Sequence, residues 1–150
     1  MNDSDRSEMD KICMQLYAAF QGVVSWEWDR RFKTVLAKFS VDIEDSVREI
    51  LERCLSMTWH TGNIGQSPDT LRFVNTYLGG LWEEQFLFTS EPTLEGFVFC
   101  AWWPWRNGKT VSIRVSPFYY RLNDLQMGEL TKKLKHWFGI LEDKTAVTIP

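Results

Sequence analysis

Residues 96–116 hold the feature that most narrows what this chain can become. The apolar run Phe97-Val98-Phe99-Cys100-Ala101-Trp102-Trp103 is followed by Pro104-Trp105-Arg106-Asn107-Gly108-Lys109, then by Val111, Ile113 and Val115 at period two. Two β-rich runs joined across Asn-Gly spell an antiparallel hairpin, and Asn-Gly is the pair that a two-residue type I′ turn prefers. A sheet is therefore the body on which other elements must pack. No catalytic or cofactor motif stands out anywhere in the chain.

Four strands are expected, over 71–77, 81–89, 96–103 and 109–116, punctuated by Gly79-Gly80, by Glu91-Pro92-Thr93 and by the hairpin turn. Connections this short favour an antiparallel meander. Before them, a helix starting near Ser4 or Asp5 is read from Ile12, Leu16, Ala19, Phe20 and Val23, with Gly22 weakening its end. A second helix is expected over 41–58: Asp42 is a fair N-cap, and Val47, Ile50, Leu51, Cys54 and Leu55 form one apolar stripe. Residues 24–40 fit either period. Trp28, Phe32, Val35, Leu36 and Phe39 suit a helix, while Phe32, Thr34 and Leu36 alternate and the Thr, Val and Phe content suits a strand; the segment leans towards a strand because Ser25 to Arg31 looks like a turn between two periodic patterns. Residues 58–70, rich in Gly, Asn, Ser, Pro and Asp, read as a loop. Asn123 with Gln126 three residues on forms a capping-box pattern ahead of a last helix, whose stripe is Leu122, Leu125, Leu130, Leu134, Trp137 and Phe138 and which Gly139 can end. The expected class is α+β: an antiparallel sheet of four to five strands, with two N-terminal helices and one C-terminal helix packed mainly on one face.

A chain of 150 residues fits a single domain with a sizeable core, residues 1–5 and 142–150 being loose. Its formal charge of −3 disfavours nucleic acid, whose phosphates call for a basic field, and favours a basic partner. Cys13, Cys54 and Cys100 are far apart among apolar neighbours, as buried reduced thiols are. The acidic start, with Asp3, Asp5, Glu8 and Asp10, carries the wrong charge for a signal peptide, and no apolar run has the length of a membrane span. A cytoplasmic protein that binds no membrane is expected.

Candidate chemistry is sparse. His60 and His136 are distant and no cysteines are paired, so neither a metal site nor any cofactor is expected. Cys54 or Cys100 with His60 could in principle serve a hydrolase, but Cys54 lies on the apolar stripe of its helix, where a thiol is packing. Glu83 and Glu84, beside Trp82, point to opposite sides if their segment is a strand, so they cannot flank one glycosidic bond. Catalytic residues are accordingly not assigned.

Tryptophan is the informative excess: eight Trp must sit in a core, a pocket or an interface. Trp102 and Trp103 face opposite ways in a regular strand, so Trp103, Trp105 and Arg106 are candidate partner contacts, Trp and Arg being enriched at binding hot spots. Acids recur beside aromatics in Trp26-Glu27-Trp28-Asp29 and Trp82-Glu83-Glu84, although Arg30, Arg31 and Lys33 make the field mixed. Glu83 and Glu84, with Glu44, Glu49 and Glu52 on the charged face of the second helix, complete the candidate set. The expectation is a non-enzymatic protein-binding module whose acidic and aromatic surface covers a basic protein. In size, charge and class the chain is similar to bacterial immunity proteins, which neutralise toxins. A chaperone for a secreted effector, a small-ligand binder with an aromatic pocket and a Cys/His hydrolase are the alternatives.

Overall fold

A computed structural model describes residues 3–140, with side-chain surroundings from residue 8 onwards. The chain runs α1 (Asp3–Phe20), β1 (Glu27–Asp29), β2 (Thr34–Ser40), α2 (Glu44–Cys54), β3 (Met57–Trp59), α3 (Asp69–Tyr77), β4 (Phe86–Thr89), β5 (Gly96–Pro104), β6 (Thr110–Tyr119) and α4 (Asp124–Trp137). The mixed class is as expected, with an antiparallel sheet of six strands in the order β1-β2-β6-β5-β4-β3 and four helices. Residues 3–5, expected to be loose, are the first turn of α1. The same expectation for 1–2 and 142–150 falls outside the described residues.

The sheet forms around the β5–β6 hairpin, whose register runs from Gly96 opposite Tyr119 to Pro104 opposite Val111. Its turn differs from the type I′ expectation. Gly108 donates to the Trp105 carbonyl and alone in the loop has positive φ, at 69°, so residues 105–108 make a type I turn closed by a left-handed glycine. Asn107 is held out of the left-handed region by its own side chain, whose Oδ1 accepts from the amides of Lys109 and Thr110. At the other end Gly96, φ 148°, lies so close to β6 that a Cβ there would sit 1.8 Å from the Phe118 carbonyl oxygen.

The alternation of β5 divides the core in two. Val98, Cys100 and Trp102 face a layer made of α1 (Met9, Cys13, Leu16, Phe20), α2 (Val47, Ile50, Leu51) and α4 (Leu134, Phe138). Phe97, Phe99 and Ala101 face the other way, onto Leu71, Val74 and Leu78 of α3. Three helices thus share one face as expected, and the fourth covers part of the opposite face. That fourth helix occupies the segment expected to be a strand over 71–77. Its Leu71, Val74 and Leu78 repeat at three and four residues, which puts all three on one side of a helix. The strand expected over 81–89 shrinks to four residues for a related reason: residues 78–85 are spent returning the chain from α3 to the sheet.

Residues 24–40 resolve as two strands, β1 and β2, and the turn expected over 25–31 lies instead at 30–33, because Glu27, Trp28 and Asp29 pair with β2. The expected 41–58 helix is shorter at both ends, beginning as a 3-10 turn over Val41–Ile43 and giving way to the edge strand β3. Its expected cap differs too: Ser40, not Asp42, accepts the free amide of that turn. At α4 the Asn123/Gln126 capping box is present, and a Schellman closure follows, with Ile140 donating to Lys135 and Gly139, φ 68°, to His136. Leu125, placed in the buried stripe, is 72% exposed.

Beside α3, the second face of the sheet is polar. Arg114 of β6 points into it and is held by Asp29, Nε to Oδ2 2.6 Å, with Ser112 accepting from Nη1 at 3.1 Å. The other oxygen of Asp29 accepts from the Arg31 amide at 2.9 Å. This folds the β1–β2 turn over the sheet and lays Phe32 edge-on to Trp103 and Tyr77. Because the Asp29–Arg114 pair is largely shielded from water, removing one partner leaves an uncompensated charge. Asp29→Ala is expected to lower the unfolding free energy by about 2–4 kcal/mol, and Asp29→Asn, which keeps the amide acceptor, by less. Chemical denaturation of the two variants measures this; equal losses would show that the turn contact with Arg31 contributes nothing.

Candidate functional site

Two clusters of acids beside aromatics appear in the sequence, and the fold treats them oppositely. In the first, Trp26 packs edge-on to Phe20 and Phe138, and Trp28 lies under Lys135. Asp29 is committed to Arg114 and Glu27 to Lys38, Nζ to Oε1 3.4 Å. The side chains of this cluster are engaged with partners in the fold itself. The second, residues 82–84, lies on an exposed turn closed by Gln85, whose amide donates to the Trp82 carbonyl while its side chain accepts from the Trp82 amide. Trp82 is 65% exposed and Glu84 has φ 74°, a left-handed conformation that is costly for a residue with a side chain. Glu83 and Glu84 are therefore in a turn, which corrects their expected placement on a strand.

Glu84 borders a cleft of about 390 Å³ that α2 and the tip of the β5–β6 hairpin also frame. From α2 come Glu44, Asp45 and Arg48, from the start of β4 Phe86, and from the hairpin Trp105. Trp105 is 43% exposed, with Lys38 approaching its ring at 6.0 Å. Arg48 is already occupied: its guanidinium stacks 4.4 Å from the Phe86 ring centre and reaches Glu52 at 3.8 Å. Glu44, Asp45 and Glu84 make no ion pair among the described residues. The lining thus gathers three carboxylates with no ion pair among the described residues, one guanidinium engaged with Phe86 and Glu52, and a half-exposed tryptophan.

The fold brings Trp105, Glu44 and Glu84 of the candidate contacts to this one cleft. Glu83 is exposed on the neighbouring turn, and Arg106 is exposed at the hairpin tip. Glu49 and Glu52 continue the exposed face of α2, Glu52 being paired with Arg48. Trp103 is not with them: it lies on the opposite face of the sheet, beneath Arg114 at 4.3 Å and Phe32 at 5.4 Å. Asp45 and Trp82 were missing from the sequence-derived set. Asp45 is an acid of the first turn of α2, ordinary helix chemistry that marks no site, and the exposure of Trp82 follows from the chain being a turn there.

The cysteines sit elsewhere. Cys13 and Cys100 are fully buried and Cys54 is half-buried. Burial pushes all three thiols up, and for Cys54 the neighbouring Arg53 offsets part of the rise. A thiol held protonated at neutral pH is a poor nucleophile. The Nδ1 of His60 accepts from the Gly62 amide at 3.0 Å. Among the described residues no three His, Cys, Asp or Glu side chains converge as a metal site would require, and no helix is long and apolar enough to cross a membrane.

No protein-family model matches the chain, and no curated protein or solved structure is significantly similar to it.

Iodoacetamide at pH 8 is expected to modify Cys54 slowly and to leave Cys13 and Cys100 intact until the protein unfolds. Mass spectrometry of the native and the denatured protein reads this directly, and fast native labelling of Cys100 would contradict the packing described.

Proposed function

We propose that the chain is a non-enzymatic binding protein that holds a basic protein partner against the Trp105 cleft and blocks it by occlusion. The observation that carries this reading is the set Glu44, Asp45 and Glu84, carboxylates with no ion pair among the described residues, around an indole that already presents apolar area to solvent. Each half has a distinct role. Unpaired surface carboxylates steer a cationic partner and set the encounter rate. A tryptophan at the centre of a closed contact slows dissociation, because it desolvates a large apolar area with few rotamers to freeze. Lysine or arginine side chains of the partner would enter the cleft and replace the missing counter-charges, while Trp82 and Arg106 border the contact.

A toxin-neutralising immunity protein acting inside the cell is the role this chemistry fits most closely, since covering a basic active-site cleft needs an acidic, aromatic surface and no catalytic group. A chaperone that covers a basic effector before its secretion would use the same face.

The test is binding kinetics against the partner recovered from the source cells. Glu44→Lys, Asp45→Lys and Glu84→Lys together are expected to lower the association rate at low salt about 10- to 100-fold and to flatten its salt dependence. Trp105→Ala is expected to speed dissociation about tenfold or more. Both variants should stay folded, the triple reversal with a slightly lower thermal midpoint because Glu44 and Asp45 lie in the first turn of α2, where lysine opposes the helix dipole. Association unchanged by the triple reversal at low salt would refute the reading.

A further inference from the structure

A second opening, of different chemistry, lies across the end of the sheet where β6 closes and where α3 on one face and α4 on the other both approach it. Between α3 and α4 runs a groove of about 340 Å³, within the range of small-molecule sites, roughly 300–1,000 Å³. Phe99 and Phe118 form its floor, Phe73 and Tyr77 one wall, Met127 and Leu130 the other. Three of the nine large apolar side chains exposed among the described residues, Phe73 at 62%, Tyr77 at 50% and Met127 at 38%, are gathered at this one place. The other large exposed apolar groups, including Leu94 and Trp82, do not line it.

One charged residue borders the groove, Lys33. It follows Phe32 in the turn that Asp29 folds over the sheet, and its φ of 57° is left-handed, so the backbone is turned into an uncommon conformation where the lysine meets the groove. Lys33 makes no ion pair among the described residues, and no carboxylate lines the groove. The hydroxyls present are partly engaged: Ser116 donates to the Pro117 carbonyl and Tyr77 to the Phe32 carbonyl.

We infer that the groove between α3 and α4 binds a small amphipathic carboxylate, a medium-chain acyl acid whose chain lies on Phe99 and Phe118 and whose head group meets Lys33. An apolar slot with a single cation at its mouth matches one negative charge on an apolar tail. A phosphate monoester, with close to two charges, would find no second cation, and an uncharged lipid would leave Lys33 unused. The site is separate from the Trp105 cleft, so the triple reversal at Glu44, Asp45 and Glu84 should leave it intact, and failure of either proposal leaves the other standing.

Decanoate, kept below its aggregation concentration, and decan-1-ol are titrated into the ¹⁵N-labelled full chain, with Lys33→Gln and Met127→Glu as variants. Decanoate is expected to move the amides around Phe73, Tyr77, Phe118 and Met127 saturably. Lys33→Gln should weaken decanoate about tenfold, the scale of losing a hydrogen bond to a charged group, and leave decan-1-ol unchanged. Met127→Glu should weaken both ligands. Lys33 is exposed, so its variant reports on binding with the fold intact, which the unperturbed spectrum verifies. Equal affinity of decanoate for the wild type and Lys33→Gln, shifts scattered outside the groove, or no saturable shift would overturn the assignment.

Discussion

A strand buried on both sides sets the terms for everything else in this molecule. Residues 96–102 of β5 are buried without a break, so each of its faces has to be covered, and the protein solves the two faces differently. One receives a continuous layer of three helices, into which Val98, Cys100 and Trp102 project. The other receives α3, nine residues long, which covers Phe97, Phe99 and Ala101 but cannot reach the far half of the sheet. There the composition of β6 changes: Ser112, Arg114 and Ser116 take the positions that apolar residues hold elsewhere. Arg114 is bound to Asp29, stacks on Trp103 and so recruits the β1–β2 turn as the missing cover. Full burial of each large side chain favours folding by about 1.5–3 kcal/mol, so the pairing of β5 with both layers outweighs any single surface contact.

This division also decides where binding chemistry can appear. The side chains that approach the sheet edge from α2 and the hairpin tip leave an acidic cleft under Trp105. The short cover on the opposite face leaves an apolar groove at the end of β6, between α3 on that face and α4 on the other. The short edge strands β1 and β3, three residues each, offer little template for strand addition. Recognition by side-chain complementarity in these two concavities is the chemistry that the fold leaves open.

How much of this was legible beforehand depended on whether local pattern and tertiary context agreed. The hairpin, the α2 stripe and the capping box at Asn123 were legible because each rests on residues a few positions apart, and the strand lean of 24–40 matched β1 and β2. Residues 71–77 misled because Leu71, Phe73 and Tyr77 also fit an alternating pattern. The helical spacing of Leu71, Val74 and Leu78 prevails only because a second sheet face has to be covered. The same misreading put Glu83 and Glu84 on a strand and concealed the exposed turn of Trp82. At the candidate site, single residues were legible and their grouping was not. Nothing local shows that Glu44 and Glu84, forty positions apart in sequence, share a cleft with Trp105, or that Trp103 turns away beneath Arg114.

The central claim, that the Trp105 side of the molecule is where a basic protein docks, is tested most directly by site-specific photocrosslinking in the source cells. A benzoylphenylalanine is placed at Trp105, at Trp82, or at Phe73 on the opposite face, and adducts are identified by mass spectrometry. The account predicts one basic protein crosslinked from Trp105 and Trp82, lost as salt is raised, and absent from Phe73. The same adducts from all three positions, or a salt-insensitive partner from Phe73 alone, would contradict it.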